Sequence, residues 1–246
     1  AETIKEAVVE RRMPPWKADP AHGEFVNDMS MAEDEVATLV TWVDEGGPAG
    51  DPADAPPPPT WGEEWNIGTP DRILHMPKPE KIPATGVVPY KNVVVSPVFQ
   101  EDTWVQAMEC RMGNPSVVHH ILALLEFPRD RSRNQDGLTK GFFAGAVPGN
   151  TYTILRPGFA KLIPKGARLV FQLHYTPNGT PTTDKSSLGL VYAEEPEFVV
   201  DTYALGTHDI LIKAGDANYK KEATLTIPND VAISSLMPHL HLRGTS

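Results

Sequence analysis

Five of the eight histidines fall in three short clusters that could hold a metal ion. His119 and His120 are adjacent within Val117–Phe127, His174 stands in Phe171-Gln172-Leu173-His174-Tyr175, and His239 and His241 flank Leu240. Side chains two apart on a strand leave by the same face, so His239 and His241 can aim both rings at one ion. Neutral imidazole suits copper, zinc, iron and nickel, so spacing alone does not choose the metal. The adjacent pair is harder to join. On a regular strand His119 and His120 face opposite sides, one a core group and one a surface group; sharing an ion requires a bulge, a strand end or strong local twist. His174 shares its face with Val170 and Gln172, while Leu169, Phe171, Leu173 and Tyr175 take the other. A histidine there is either a hydrogen-bonded core group or a ligand. The chain has no H-E-x-x-H, no G-x-S-x-G and no phosphate-binding glycine loop. Its single cysteine, Cys110, rules out an internal disulfide and a thiolate zinc cluster within this chain. Metal chemistry is the chemistry the sequence visibly offers.

The elements that must position these residues are strands. From Trp61 onward the apolar pattern has period two, and Val87–Ser96, Trp104–Arg111, Val117–Phe127, Ala167–Tyr175, Ser187–Tyr192, Ala223–Ile227 and Val231–Leu236 are predicted strands. Gly, Pro, Asn and Asp turns separate them, Asn178-Gly179 among them. Short strands without intervening helices predict a mainly β chain built as an antiparallel, jelly-roll-like β-sandwich. Residues 128–166 are expected to form a long Gly- and Pro-rich connection that lines a site. His22, His75 and His208 lie in loop-like sequence and read as solvated, and Cys110 as a buried small side chain.

Residues 1–50 differ. Thr3 with Glu6, and Ser30 with Glu33, match capping boxes. Ala32, Val36, Leu39, Val40 and Val43 fall at helical spacing, with Gly46-Gly47 to end the helix. Two helices around a loop containing Met13-Pro14-Pro15-Trp16 are predicted, too small to bury much core alone. Residues 51–60, with four consecutive prolines, read as a stiff linker. The expected division is therefore 1–50 helical, 51–60 linker, 61–199 a first sandwich and 200–246 the truncated start of a second. Because the chain begins at Ala1 and ends directly after the H-x-H stretch, a fragment is expected.

Composition narrows the partners. The 246 residues hold 22 Lys plus Arg against 32 Asp plus Glu, a formal charge of −10, which argues against nucleic acid and anionic membrane. Apolar residues at 40% are enough for a packed core, and no apolar run approaches the length of a membrane span. With 25 prolines a helical bundle is disfavoured.

Four stretches carry a resemblance: Arg12-Met13-Pro14-Pro15-Trp16, Val117-Val118-His119-His120, Phe171–Gly179 and Pro238-His239-Leu240-His241-Leu242-Arg243-Gly244. Their order resembles the copper type II, ascorbate-dependent monooxygenases, the family of peptidylglycine α-hydroxylating and dopamine β-monooxygenases. The chain is more closely similar to bacterial forms with an upstream cytochrome c segment. The resemblance implies two β-sandwich domains with one copper each. His119, His120 and His174 would bind the first, which stores and passes an electron. His239 and His241 would bind the second, where O₂ and substrate meet and whose third ligand, a Met, lies downstream of the H-x-H pair. Met237 does not occupy that place; it stands where the peptide-amidating enzymes carry an Arg that holds a carboxylate, which argues against glycine-extended peptides. Residues 1–50 resemble the C-terminal half of a c-type cytochrome, making Met13 an axial haem ligand; packing beneath Trp16 is its alternative. The implied activity is C–H hydroxylation of a small-molecule or peptide substrate. O₂ and ascorbate or another electron donor are its co-substrates, in a periplasmic or secreted protein.

Overall fold

The computed structural model describes residues 1–16, 18–57, 64–127, 141–147, 149–203, 205–206, 210–227 and 229–237. The chain divides into two compact units, Ala1–Gly62 and Glu63–Ser246. In the first unit, helix α1 spans Glu2–Val9 and helix α2 spans Glu33–Asp44, with 3-10 turns at Pro20–His22 and Pro52–Asp54. Val8, Val36 and Val43 are its buried apolar residues. Lys5 pairs with Asp44, and Arg11 with Glu33. Neither expected capping box forms where predicted. Thr3 lies inside α1, which starts one residue after the chain's first. At α2 the cap residue is Ala32, whose N–H donates to the Glu35 carboxylate at 2.8 Å. The helix ends as its glycines predict: Gly46 and Gly47 take φ of 91° and 65° and donate to the carbonyls of Val43 and Trp42.

The second unit is an antiparallel β-sandwich. Its strands are β1 (Arg72–His75), β2 (Glu80–Ile82), β3 (Lys91–Val94), β4 (Thr103–Arg111), β5 (Val118–Glu126), β6 (Phe142–Ala146), β7 (Tyr152–Ile154), β8 (Phe159–Ile163), β9 (Arg168–Tyr175), β10 (Thr182–Asp184), β11 (Ser187–Tyr192) and β12 (Phe198–Val199). One sheet runs β1-β11-β4-β8-β12, with β7 also on β4; the other runs β3-β9-β5-β6; β2 and β10 form a separate pair. All pairings are antiparallel except the two-residue contact of β12 with β8.

Period-two patterning explains which faces meet. Ile121, Ala123 and Leu125 from β5 and Leu169, Phe171, Leu173 and Tyr175 from β9 are buried in one core. Val105, Met108 and Cys110 from β4 join it, the odd spacing being absorbed by a register shift between Val191 and Tyr192 that leaves Gln106 unpaired with β11. Each buried Val, Ile, Leu, Met or Phe among them contributes about 1.5–3 kcal/mol. Over the other face of β4 lies the segment after Glu63. The Glu109 carboxylate accepts from the Asn66 backbone N–H at 2.6 Å and from Arg111 Nε at 3.1 Å, and the Arg111 guanidinium sits 3.9 Å over the Trp65 ring. Trp65 presses so closely on β11 that a Cβ at Gly189 would come within 2.7 Å of its ring, so only glycine fits there.

Three expectations change. Residues 128–166 are not one long connection, since their described part holds β6, β7 and β8; these strands are too short to show a period. His75 lies not in a loop but on β1, opposite Ser187. The strands predicted at Ala223–Ile227 and Val231–Leu236 do not form: the described residues of 200–237 are irregular and join no ladder. Their apolar side chains face solvent, Leu211 and Leu236 at 77% and 78% exposure. A strand needs a hydrogen-bonded neighbour, and alternation alone does not supply one.

Candidate metal centre

The site is built on β5 and β9, which run antiparallel side by side. Their register places His120 directly opposite His174 and Val118 opposite Tyr175. Two steps along β5 thus match one step along β9, and His119 is the extra residue of a bulge. That bulge removes the obstacle of adjacent residues pointing apart. Both rings come to the outer face of the four-stranded sheet, away from the core that Leu173 and Tyr175 occupy.

The rings pack edge to face. Their centroids are 5.3 Å apart for His119–His120, 4.9 Å for His119–His174 and 5.1 Å for His120–His174. One nitrogen from each lies within 4.8 Å of the others, and among the described residues this is the one such group of three. The Nδ1 atoms of His119 and His120 approach to 3.1 Å. Imidazole nitrogens sharing one zinc-sized ion at about 2.0–2.1 Å lie roughly 3–4 Å apart, so small side-chain adjustments suffice for all three.

Two further observations match a cation. His174 Nδ1 is buried and has no hydrogen-bond partner, a state that costs about 1–3 kcal/mol unless something satisfies the lone pair. Burial, followed by the nearby His119, pushes the His174 pKa below its ordinary value of 6.5. The neutral ring this favours is the form that ligates metal. His119 is exposed while His120 and His174 are half-buried, so the cluster opens toward solvent on the His119 side.

The surrounding chain holds both strands at this end. Tyr175 Oη donates to Asp184 Oδ2 at 2.9 Å, and Asp184 Oδ1 accepts from the Asn114 backbone N–H at 2.9 Å. Asp184 and Tyr175 are both buried, and burial together with Asp184 raises the phenol pKa well above its usual 10.0. Asn114 begins the turn into β5, its carbonyl accepting from Val118 N at 3.1 Å, while Thr176 N donates to Val117 O at 2.8 Å. The residues before His119 and after His174 are therefore tied to one buried carboxylate.

Tyr90 is a neighbour that sequence reading missed. Its ring stacks on His174 at 4.8 Å and 30°, and lies 5.8 Å from His120. A lone tyrosine after Val-Val-Pro carries no spacing signal; only the pairing of β3 with β9 brings it here. The other expected ligands are not part of this cluster's described surroundings. His239 and His241, with Arg243 and His208, lie outside the described residues. Met13 is 53% exposed in the helical unit, where Trp16 packs edge-on against Phe25 at 5.8 Å. Cys110 is fully buried, and burial pushes its thiol up to about 12, leaving it inert as a ligand.

No family model, curated protein or solved structure matches the chain. No helix among the described residues is long and apolar enough to cross a membrane.

Proposed function

We propose that His119, His120 and His174 bind one copper ion, and that the chain works in a copper-dependent monooxygenase that hydroxylates a C–H bond with O₂ and a one-electron reductant. The observation that carries the first half is the convergence of three imidazoles from β5 and β9, with nitrogens within 4.8 Å of one another and His174 Nδ1 left unpartnered. Zinc suits the same donors; the choice of copper, and the second half of the proposal, rest on the ordered sequence motifs. When bound, copper supplies a one-electron redox centre. The chain's own residues do the remaining work. The β5 bulge sets two adjacent rings on one face, the Asp184–Tyr175 clamp fixes both strand ends, and the exposed His119 side leaves a short path from solvent. In the same reading His239 and His241 hold a second copper, and ascorbate or a haem c ligated by Met13 donates electrons. The substrate is a small molecule or peptide, and the protein is periplasmic or secreted.

A second reading is a copper-binding or electron-transfer module without hydroxylase activity. It is favoured by one fact: among the described residues, the three-histidine cluster draws only on the sandwich. Metal analysis of the purified chain tests both. About one copper per chain is expected, lost in His174→Ala with an unchanged far-UV circular dichroism spectrum. Copper that survives His174→Ala refutes the ligand assignment, and a wild-type chain that neither binds copper nor gains stability from it refutes both readings. Reductant-driven O₂ consumption by the copper-loaded full-length protein, present or absent, separates them.

A further inference from the structure

We propose that Tyr90 is the positioning residue of the histidine cluster: its ring fixes the plane of the His174 imidazole and shields two of the three donors from water. The inference rests on the copper reading above and adds a residue to it. Lys91 pairs with Leu173 in the β3–β9 ladder. One more step of the same antiparallel register sets Tyr90 beside His174. There the two rings stack at 4.8 Å with 30° between planes, and the far side of the phenol reaches toward His120 at 5.8 Å.

Tyr90 has no packing reason to be where it is. It is 55% exposed and outside the core. The backbone that carries it is nonetheless held, because Val88 is buried and Pro89 has a fixed φ. The terminal torsion of histidine is broad and roughly two-fold, so an imidazole on an outer sheet face swings unless something restrains it. A flat ring lying against it is such a restraint. A donor held in its binding orientation loses less freedom when the ion arrives, which appears as affinity. On the opposite side, at His119, nothing comparable stacks among the described residues. Tyr90 therefore leaves the His119 side as the route by which ion and electron come and go.

The test compares wild type with Tyr90→Ala, Tyr90→Leu and Tyr90→Phe in the full chain. Copper affinity is measured by chelator competition, and ligand geometry by the Cu(II) electron paramagnetic resonance spectrum. Tyr90→Ala is expected to bind about tenfold more weakly, with a changed hyperfine splitting, and its copper-free form to unfold at the wild-type temperature. Tyr90→Phe keeps the ring and is expected to restore both affinity and spectrum. Tyr90→Leu keeps apolar cover without a flat face; it is expected to follow alanine, and it carries the test should the alanine variant lose its fold. Wild-type affinity and spectrum in both ring-less variants overturn the positioning role while leaving the copper reading intact. A wild-type chain that binds no copper overturns both.

Discussion

Strands β5 and β9 and the stretch 210–237 start from the same kind of sequence and end differently. Both carry short apolar runs of the kind that form strands, and both contain Leu, Ile and Val in quantity. Ile121, Leu173 and Tyr175 are buried in a two-sheet core, whereas Leu211, Ile233 and Leu236 stand in solvent with no ladder among the described residues. The difference lies not in the residues but in their neighbours. β9 has β3 on one side and β5 on the other, and a second sheet across the core. Alternation records a capacity to form a strand; burial on one face and hydrogen bonds along both edges realise it.

Hydrogen exchange gives the largest contrast between the two regions. Amides of β5 and β9 are expected to exchange only through global opening, those of 210–237 without it. With a domain stability of about 5 kcal/mol or more, the strands are expected to exchange slower by roughly three decades. Equal protection across 223–236 in the isolated chain would break the comparison, because it would require a partner for those residues.

Core truncation sharpens it. Leu173→Ala removes a fully buried side chain beneath the histidine cluster and is expected to destabilise the sandwich by about 2–5 kcal/mol in urea unfolding. Leu236→Ala deletes a largely exposed side chain and is expected to change stability by less than about 0.5 kcal/mol. A cost at Leu236 comparable to that at Leu173 would show that the stretch packs on the sandwich.

The same contrast explains what was legible beforehand. β4, β5, β9 and β11 are long enough for a period to stand out, but that β4 pairs with β11 and β5 with β9 is not written in it. β6 (Phe-Phe-Ala-Gly-Ala) and β7 (Tyr-Thr-Ile) are too short to show one, and they hold their place through β5 and β4. The three histidines were legible as residue types on strands. Their grouping around one ion was an expectation of the resemblance; strand periodicity alone did not give it, since it depends on a one-residue register shift at His119 that no side chain announces. Tyr90 was invisible for the reason that made 223–236 misleading: what decides its role is the strand beside it.

The smallest expected effect lies at the boundary between the two regions, at Lys161 on β8. Its ammonium donates to the Phe143 carbonyl at 2.8 Å and to Thr202 Oγ1 at 2.9 Å, joining both sheets to the first residues of the irregular stretch. Burial lowers its pKa from 10.5 to about 8, against the opposing pull of Asp201. Between those values the unfolded chain binds the proton and the folded chain has shed it, so stability is expected to rise with pH from about 8. Cys110 acts the other way: its folded pKa near 12 lies above its ordinary 9.0, so the folded state keeps a proton the unfolded state loses, and stability falls as pH climbs past 9.0. The rise from Lys161 therefore shows cleanly only between about pH 8 and 9, read as an upward shift in urea midpoint. Lys161→Met is expected to abolish that shift and to speed amide exchange at Val200, whose N–H donates to Ala160 O at 2.9 Å, while leaving β5 and β9 protected. A midpoint that still rises in Lys161→Met would assign the effect to another group, and slow exchange at Val200 would mean that β12 holds the boundary without the lysine.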